Sequence, residues 1–314
     1  CAAAIMAVGY LDIPRAMSVA STHPFLDFSP RLDALHPSDW ALLGEVRSKI
    51  EHLAGAPLPP RLAAEMTAVE LARGVHATTA IEGNTLTLAQ VRAQVEGRGN
   101  LPPSQAYLGR EVDNIIGLLN GVAARVLERR WTLTVPWLLE THAALLDGLP
   151  HDAQVTPGRL RAYVVAVNRY RAPEADALPA LLEAFVDWAR RPLPVENIGP
   201  VCDGVLRAVL AHLYFAWIHP FGDGNGRTAR LIEFAVLLDA GVPDVAAHVL
   251  SNHYNLTRDN YYMHLDIARR GPGGVAAFVR YALVGLVDGL RERIGRGRLE
   301  QRRLVWRELA HERE

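Results

Sequence analysis

Ile218-His219-Pro220-Phe221-Gly222-Asp223-Gly224-Asn225-Gly226-Arg227-Thr228-Ala229-Arg230 brings an imidazole, a carboxylate, three glycines and two guanidinium groups into one short stretch. Upstream, Val201, Val205, Leu206, Val209, Leu210, Leu213 and Trp217 recur at helical spacing on one broad apolar stripe, which predicts a core helix that delivers His219 at its end. Pro220 stops that helix. The next helix is expected to begin near Arg227, with its free N–H groups and positive dipole end facing the loop. Gly222, Gly224 and Gly226 remove side chains and open backbone conformations closed to other residues, so N–H groups can converge on one concavity. Such a loop is an anion nest. Arg227 and Arg230, three apart, share a helix face and add fixed charge in a geometry suited to phosphate oxygens. Asp223 beside a phosphate is a natural Mg²⁺ ligand, and His219 is the one group here that accepts a proton near neutral pH. Those parts describe phosphoryl or nucleotidyl transfer. With Asp223 as position one of an EF-hand, positions five and twelve fall on Arg227 and Phe234, so calcium binding fails. A P-loop needs Gly-x-x-x-x-Gly-Lys, which is absent. A merely structural glycine-rich turn leaves the His, Asp and Arg residues unexplained.

Away from this stretch the periodicity is helical almost throughout, over about 38–55, 60–82, 87–97, 105–129, 134–147, 178–190, 197–218, 227–240, 257–269 and 274–294, separated by Pro, Gly or Asp/Asn punctuation. One segment departs from it. Residues 162–167 and 169–173, β-branched and aromatic-rich on either side of Asn168, predict a small hairpin in an otherwise all-α protein. The tail from Arg291 to Glu314 mixes arginine with glutamate and reads as a solvated, salt-bridged helix.

Composition closes several routes. The chain has 314 residues, half of them apolar, with 33 basic residues against 34 acidic ones and a net charge of −1. That balance gives no global field for nucleic acid or an anionic membrane, so neither partner is expected, and any phosphate site must be local. Only Lys49 is a lysine, and its neighbours form neither a glycine-rich loop nor a strand, which removes Walker-type NTPases, protein kinases and pyridoxal chemistry. Cys1 and Cys202 are the only cysteines, too few for a disulfide framework and in keeping with a reducing, cytoplasmic location. The apolar start from Ala2 to Tyr10 is too short to span a bilayer and lacks a basic flank, so a clipped start is expected rather than a signal peptide. Val201 to Ile218 is interrupted by Asp203, Arg207 and His212, so a soluble protein is expected.

From His219 to Arg230 the sequence resembles the signature HxFx[D/E]GNGRxxR of the Fic family at every specified position. The resemblance extends over roughly residues 60–290. Glu111-Val112-Asp113-Asn114 looks like the start of the family's first core helix, Pro157-Gly158-Arg159-Leu160-Arg161 resembles the entry to its flap, and Tyr261-Tyr262 matches a later pair. The resemblance implies an all-α Fic fold with a short β-hairpin flap and an N-terminal helical region, divided as 1–104 for that region, 105–290 for the Fic domain and 291–314 for a helical tail. It implies a protein adenylyltransferase that moves AMP from ATP to a Ser, Thr or Tyr hydroxyl. His219 would be the base and Asp223 would hold Mg²⁺. Gly222, Gly224, Asn225 and Gly226 would bind phosphates, Arg227 would support the β-phosphate and Arg230 the γ-phosphate, while Phe221 anchors the loop in the core. A target protein would add a strand to the flap near 163–173, and a homodimer is expected. Thr78-Thr79-Ala80-Ile81-Glu82-Gly83-Asn84 resembles the family's inhibitory signature [S/T]xxxE[G/N]; Glu82 would pair with Arg230 where the γ-phosphate must sit. Three alternatives remain open at this point: removal of AMP, transfer of another nucleotide, and a nucleotide-sensing or DNA-associated module with vestigial catalysis.

Asn255, Tyr261 and Tyr262 are further candidates for adenine or ribose contacts. His142, His151, His212, His253 and His264 invite a metal reading, but a packed histidine is the better expectation, and for His212 no acidic partner is evident in the sequence. Cys202, Trp137, Trp188, Trp217 and Trp306 read as core or interface residues.

Overall fold

The computed structural model describes Val19 and residues 22–56, 59–167 and 170–311, with side chains through Arg303. In chain order the helices are α1 (Pro37–Ala54), α2 (Pro60–Ile81), α3 (Leu88–Val95), α4 (Ala106–Leu127) and α5 (Val135–Leu145), followed by the hairpin strands β1 (Ala166–Val167) and β2 (Tyr170–Arg171). Then come α6 (Leu178–Ala189), α7 (Pro200–Ile218), α8 (Asn225–Asp239), α9 (Asp244–Ala247), α10 (Val249–Leu256), α11 (Arg258–Ala268) and α12 (Pro272–His311). Ala166 pairs with Arg171 and Val167 with Tyr170, antiparallel, where the hairpin is expected; its turn residue Asn168 lies outside the described residues.

The core is the α7/α8 pair. On α7 the apolar stripe widens until Val205, Leu206, Val209, Leu210, Leu213 and Phe215 have no exposed surface. A Cβ on Gly204, near the start of α7, would land on the Cβ of Ala240, just past the end of α8, so the two helices run antiparallel at their closest approach there. Glycine at 204 therefore sets the spacing of the helices that frame the 219–224 loop. Gly204→Ala is expected to cost about 1–3 kcal/mol by overpacking, measured by chemical unfolding.

Around this pair, α4 and α5 pack on one side of α8, and α2 is laid against α10 and α4. α12 crosses α1, α10 and α11. Buried charge fixes the crossings: Asp39 on α1 accepts from Arg280 Nε at 2.6 Å and Nη2 at 2.9 Å, and Arg293 donates to Glu70 on α2. Arg293 is thus buried, whereas Arg291 and Arg303 make the solvated ion pairs expected of the tail. α12 runs unbroken through residue 290 and past Gly295 and Gly297; tertiary packing overrides the roughly 1 kcal/mol each glycine costs a helix.

Helices α9 and α10, over 244–256, have no counterpart among the expected helices; at four residues α9 is barely one turn, too short to display a period. By length and hydropathy alone α7 and the stretch Pro272–Arg303 could cross a membrane, but the α7 window is 83% buried inside the protein. Its buried acid is paired there: Asp203 accepts from Leu193 N–H and from Arg207 Nε, both at 2.7 Å.

Candidate active site

α7 ends at His219, which adopts the left-handed conformation (φ 47°, ψ 58°) ahead of Pro220. A β-carbon makes that conformation costly, so surrounding bonds must hold it. Its Nδ1–H donates to the Ala216 carbonyl at 3.2 Å, which leaves Nε2 as the lone-pair nitrogen with no protein partner among the described residues. Burial pushes the imidazole pKa down to about 4, so the ring is neutral at pH 7. His219 lines a cleft of about 380 Å³ together with Glu82, Asn225, Gly226 and Arg230.

The helix opposite starts two residues earlier than expected. Gly224 (φ 75°) is the N-cap of α8, so Asn225 and Gly226 form its first turn and their amides belong to its free N-terminal end. The Asn225 side chain closes the loop on itself: its Oδ1 accepts from Phe221 N–H at 3.0 Å and its Nδ2 donates to Phe221 O at 2.8 Å. Asn225 therefore offers backbone, not amide side chain, to the cleft. Phe221 is fully buried, as expected of the loop's anchor. Gly222 is glycine for a different reason from a phosphate contact, since a Cβ there would strike the Tyr163 hydroxyl of the flap.

Arg230 lies at the cleft floor, 2% exposed. Its Nε donates to Thr78 Oγ1 at 2.8 Å and its Nη2 to Thr78 O at 3.1 Å and to Glu82 Oε1 at 2.5 Å. The Glu82 carboxylate sits against the α8 N-terminus as well, because a Cβ on Gly226 would meet Glu82 Oε1. An anion supplied by the chain's own α2 thus occupies the concavity that the glycines leave open. Arg227, by contrast, does not line the cleft. Its Nη1 donates to Glu111 at 2.6 Å and its Nη2 to both Asp223 oxygens at 3.1 and 3.2 Å, so it is an internal strut between α4 and the loop. Asp223 also accepts from Gly224 N–H at 2.5 Å, and its side chain remains 47% exposed.

Three contributors were not assigned a site role from sequence. Glu111 on α4 takes Arg227 with one oxygen and Asn84 Nδ2 with the other at 2.9 Å, linking the turn after Glu82 to the loop. Glu111→Ala, which leaves the buried Arg227 with the half-exposed Asp223 as its one remaining carboxylate, is expected to cost about 2 kcal/mol in unfolding free energy. His142 on α5 stacks on Phe221 with centroids 3.7 Å apart, donates from Nε2 to Asp223 O and accepts Gly158 N–H at Nδ1, each at 3.0 Å. Burial pushes its pKa down to about 4, so both nitrogens serve backbone as a neutral ring. Arg161, quoted at the flap entry, is buried between loop and hairpin. None of the three carries a local pattern, because each acts across long sequence separations.

Tyr261 and Tyr262 line the cleft; Asn255 does not, which corrects its place among the candidates. Its neighbour Tyr254 is fully buried and stacks on Tyr261, whereas Asn255 is half-buried outside the cleft lining. Tyr261 is buried, with its hydroxyl 2.8 Å from His212 Nε2. His212 does have an acidic neighbour, contrary to expectation: Nδ1 lies 3.3 Å from Glu233 Oε2, both groups fully buried. That partner comes from α8, so sequence proximity to His212 could not reveal it; His212 remains a packed core residue.

Residues 132–237 match the model of the Fic/DOC family. The chain is 29% identical to the protein adenylyltransferase Fic of Nematostella vectensis over 252 residues, covering 80% of this chain and 55% of that one. It is 33% identical to the protein adenylyltransferase fic-1 of Caenorhabditis elegans over 211 residues, 66% of this chain and 38% of that one. The chain thus spans about half, or less, of the curated relatives' length. Among solved structures, a Fic family protein from Desulfovibrio desulfuricans G20 superposes with a TM-score of 0.67 at 29% identity over 83% of this chain and 75% of that one. A fragment of Fic-1 from C. elegans gives 0.66 at 25% identity over 91% and 78%.

Proposed function

This chain belongs to the Fic/DOC family, and from that membership we propose that it is a protein adenylyltransferase, transferring AMP from ATP to a Ser, Thr or Tyr hydroxyl of a target protein. The observation that carries the reading is a neutral imidazole on the cleft that also contains the α8 N-terminus and Arg230, with the chain's own Glu82 carboxylate in the anion position. His219 Nε2 takes the proton of the acceptor hydroxyl. That oxygen attacks the α-phosphorus, the bond to the bridging oxygen breaks, and pyrophosphate leaves. The Asn225 and Gly226 amides bind phosphate oxygens, and Arg230 holds the γ-phosphate once Glu82 is displaced. Arg227 serves by orienting Asp223 rather than by touching the β-phosphate. Tyr261 and Tyr262 wall the nucleotide.

Asp223 fits Mg²⁺: it is a single half-exposed carboxylate, and Mg²⁺ takes one or two carboxylates with phosphate oxygens completing its shell. Bound there, the ion would neutralise phosphate charge. Target binding follows the flap. His23 Nε2 bonds the Arg171 carbonyl at 2.9 Å and covers the outer side of β2, while Val164 and Val167 on the β1 side are exposed, so an extended target segment adds along β1. Homodimerisation enters on the family resemblance and is checked by light scattering. The test of the reaction is intact-mass measurement of protein and targets after incubation with ATP and Mg²⁺. A gain of AMP supports the proposal; unchanged mass in both wild type and Glu82→Gly overturns it.

A further inference from the structure

Arg161 is 4% exposed and forms no ion pair with any carboxylate among the described residues. The nearest acid at the flap exit, Glu174, is taken by Arg171 at 2.7 Å. Burying an arginine without a counter-ion is expensive, and the expense is tolerated only where carbonyl dipoles replace the lost water. Arg161 has such a set. Nε donates to His219 O at 2.8 Å, Nη1 to Tyr163 O at 2.7 Å and Nη2 to Pro173 O at 2.6 Å; its own backbone N–H donates to Pro220 O at 3.0 Å.

The acceptors fall in three places that matter. Tyr163 precedes β1, Pro173 follows β2, and His219 carries the base. One planar fork therefore grips both legs of the hairpin and the carbonyl of the residue held in the left-handed conformation. Among the described residues only Tyr170, whose hydroxyl donates to Trp217 O, makes a comparable tie from the hairpin to the end of α7. Lysine cannot replace this fork, because a single ammonium on a flexible stem does not satisfy three divergent carbonyls in one plane.

We propose that Arg161 is a positioning residue that fixes the spacing between the target-holding hairpin and His219, so that a hydroxyl docked on the flap meets Nε2. The inference rests on the adenylyltransferase reading for its kinetic consequence, but the joint itself is testable without it. Arg161 touches neither Arg230 nor the α8 N-terminus, so its loss is expected to spare nucleotide binding and to impair target modification. Its positive charge also helps hold down the His219 pKa, after burial; Glu82 and Asp223, the other charged groups facing the ring, act in the opposite direction.

The experiment compares Arg161→Lys and Arg161→Gln in the Glu82→Gly protein. ATP affinity by calorimetry is expected to stay within about twofold, while kcat/KM for the target falls about 100-fold, the scale of a 1 Å misplacement. Arg161→Gln is further expected to move the acid limb of the pH profile upward relative to Arg161→Lys, since only the former removes the charge. Hydrogen exchange supplies the reading that needs no activity: the bonded amides of Ala172, His219 and Phe221 lose protection in both variants, whereas α8 keeps its own. Target kcat/KM within about threefold of the parent, or equal losses of nucleotide binding and target modification, would overturn the proposal. If the parent transfers no AMP, the adenylyltransferase reading fails, and unchanged exchange at those three amides still sinks the joint. If the variants do not fold, the wild type decides. There the amides of Ala172, His219 and Phe221 should open as one unit, and independent opening counts against the joint.

Discussion

In the His219→Ala protein, AMP transfer is expected to fall by about 10³-fold, in the range for loss of a general base, while ATP affinity stays within about twofold. The asymmetry follows from the geometry. In the proposed reading phosphate is bound from the α8 side by amides and by Arg230, whereas His219 closes the end of α7 and holds a lone pair at Nε2 that no donor among the described residues uses. Alanine also relieves none of the loop's other ties, because Phe221 remains stacked on His142 and locked to Asn225. The folded loop therefore persists without its base. Single-turnover transfer measured beside calorimetric ATP binding separates the two effects; equal losses in both would make His219 a structural residue.

The pH dependence sharpens the same prediction. A histidine whose folded pKa is pushed down to about 4 is a free base from pH 7 down through pH 5. The acid limb of kcat/KM is thus expected well below 6.5, the ordinary imidazole value. In Glu82→Gly it should lie lower still, because the carboxylate raises the ring's affinity for protons. A limb at 6.5 or above would mean that the ring is solvated in the working enzyme.

How much of this could be read from residues alone depends on sequence separation. The stretch from 219 to 230 is local chemistry: the proline stop, the glycine spacing and the arginines all fall within a dozen positions, and the structure brings His219, Gly226 and Arg230 of that stretch onto one cleft. Glu82 and Arg230 are far apart, yet their contact was legible because the resemblance supplied both halves of the motif. Arg227 shows the limit. Its spacing from Arg230 predicts a shared helix face, but Glu111, from a helix more than a hundred positions away, turns it inward. The pairing of His212 with Glu233 was hidden in the same way, as was the use of Gly222 to admit Tyr163. Long helices declare themselves by period, while the four-residue α9 is shorter than the window a period needs.

Glu82→Gly should tighten ATP binding by about 10- to 100-fold, the equivalent of one charged hydrogen bond of roughly 1.5–3 kcal/mol, and should raise AMP transfer well above the wild-type level. Both the α8 N-terminus and Arg230 are engaged by Glu82, so on the proposed reading a γ-phosphate would have to displace a carboxylate already bonded at 2.5 Å to a buried guanidinium. Glycine removes that competitor at little backbone penalty, since residue 82 already caps the end of α2 and the following Gly83 (φ 101°) carries the chain away. Stability should move the opposite way. Arg230 keeps Thr78 Oγ1 and O but loses its counter-ion, so the unliganded variant is expected to unfold about 2 kcal/mol more easily, below the range for a fully buried pair because Glu82 is 29% exposed. ATP then substitutes for the missing carboxylate, and the melting temperature of the variant should rise with ATP far more than that of wild type. Glu82→Gln, which keeps the volume and removes the charge, should fall between the two in affinity. If Glu82→Gly binds ATP no better than wild type, or melts at the same temperature with and without it, the carboxylate is no brake and the anion cradle at Gly226 holds something other than a triphosphate.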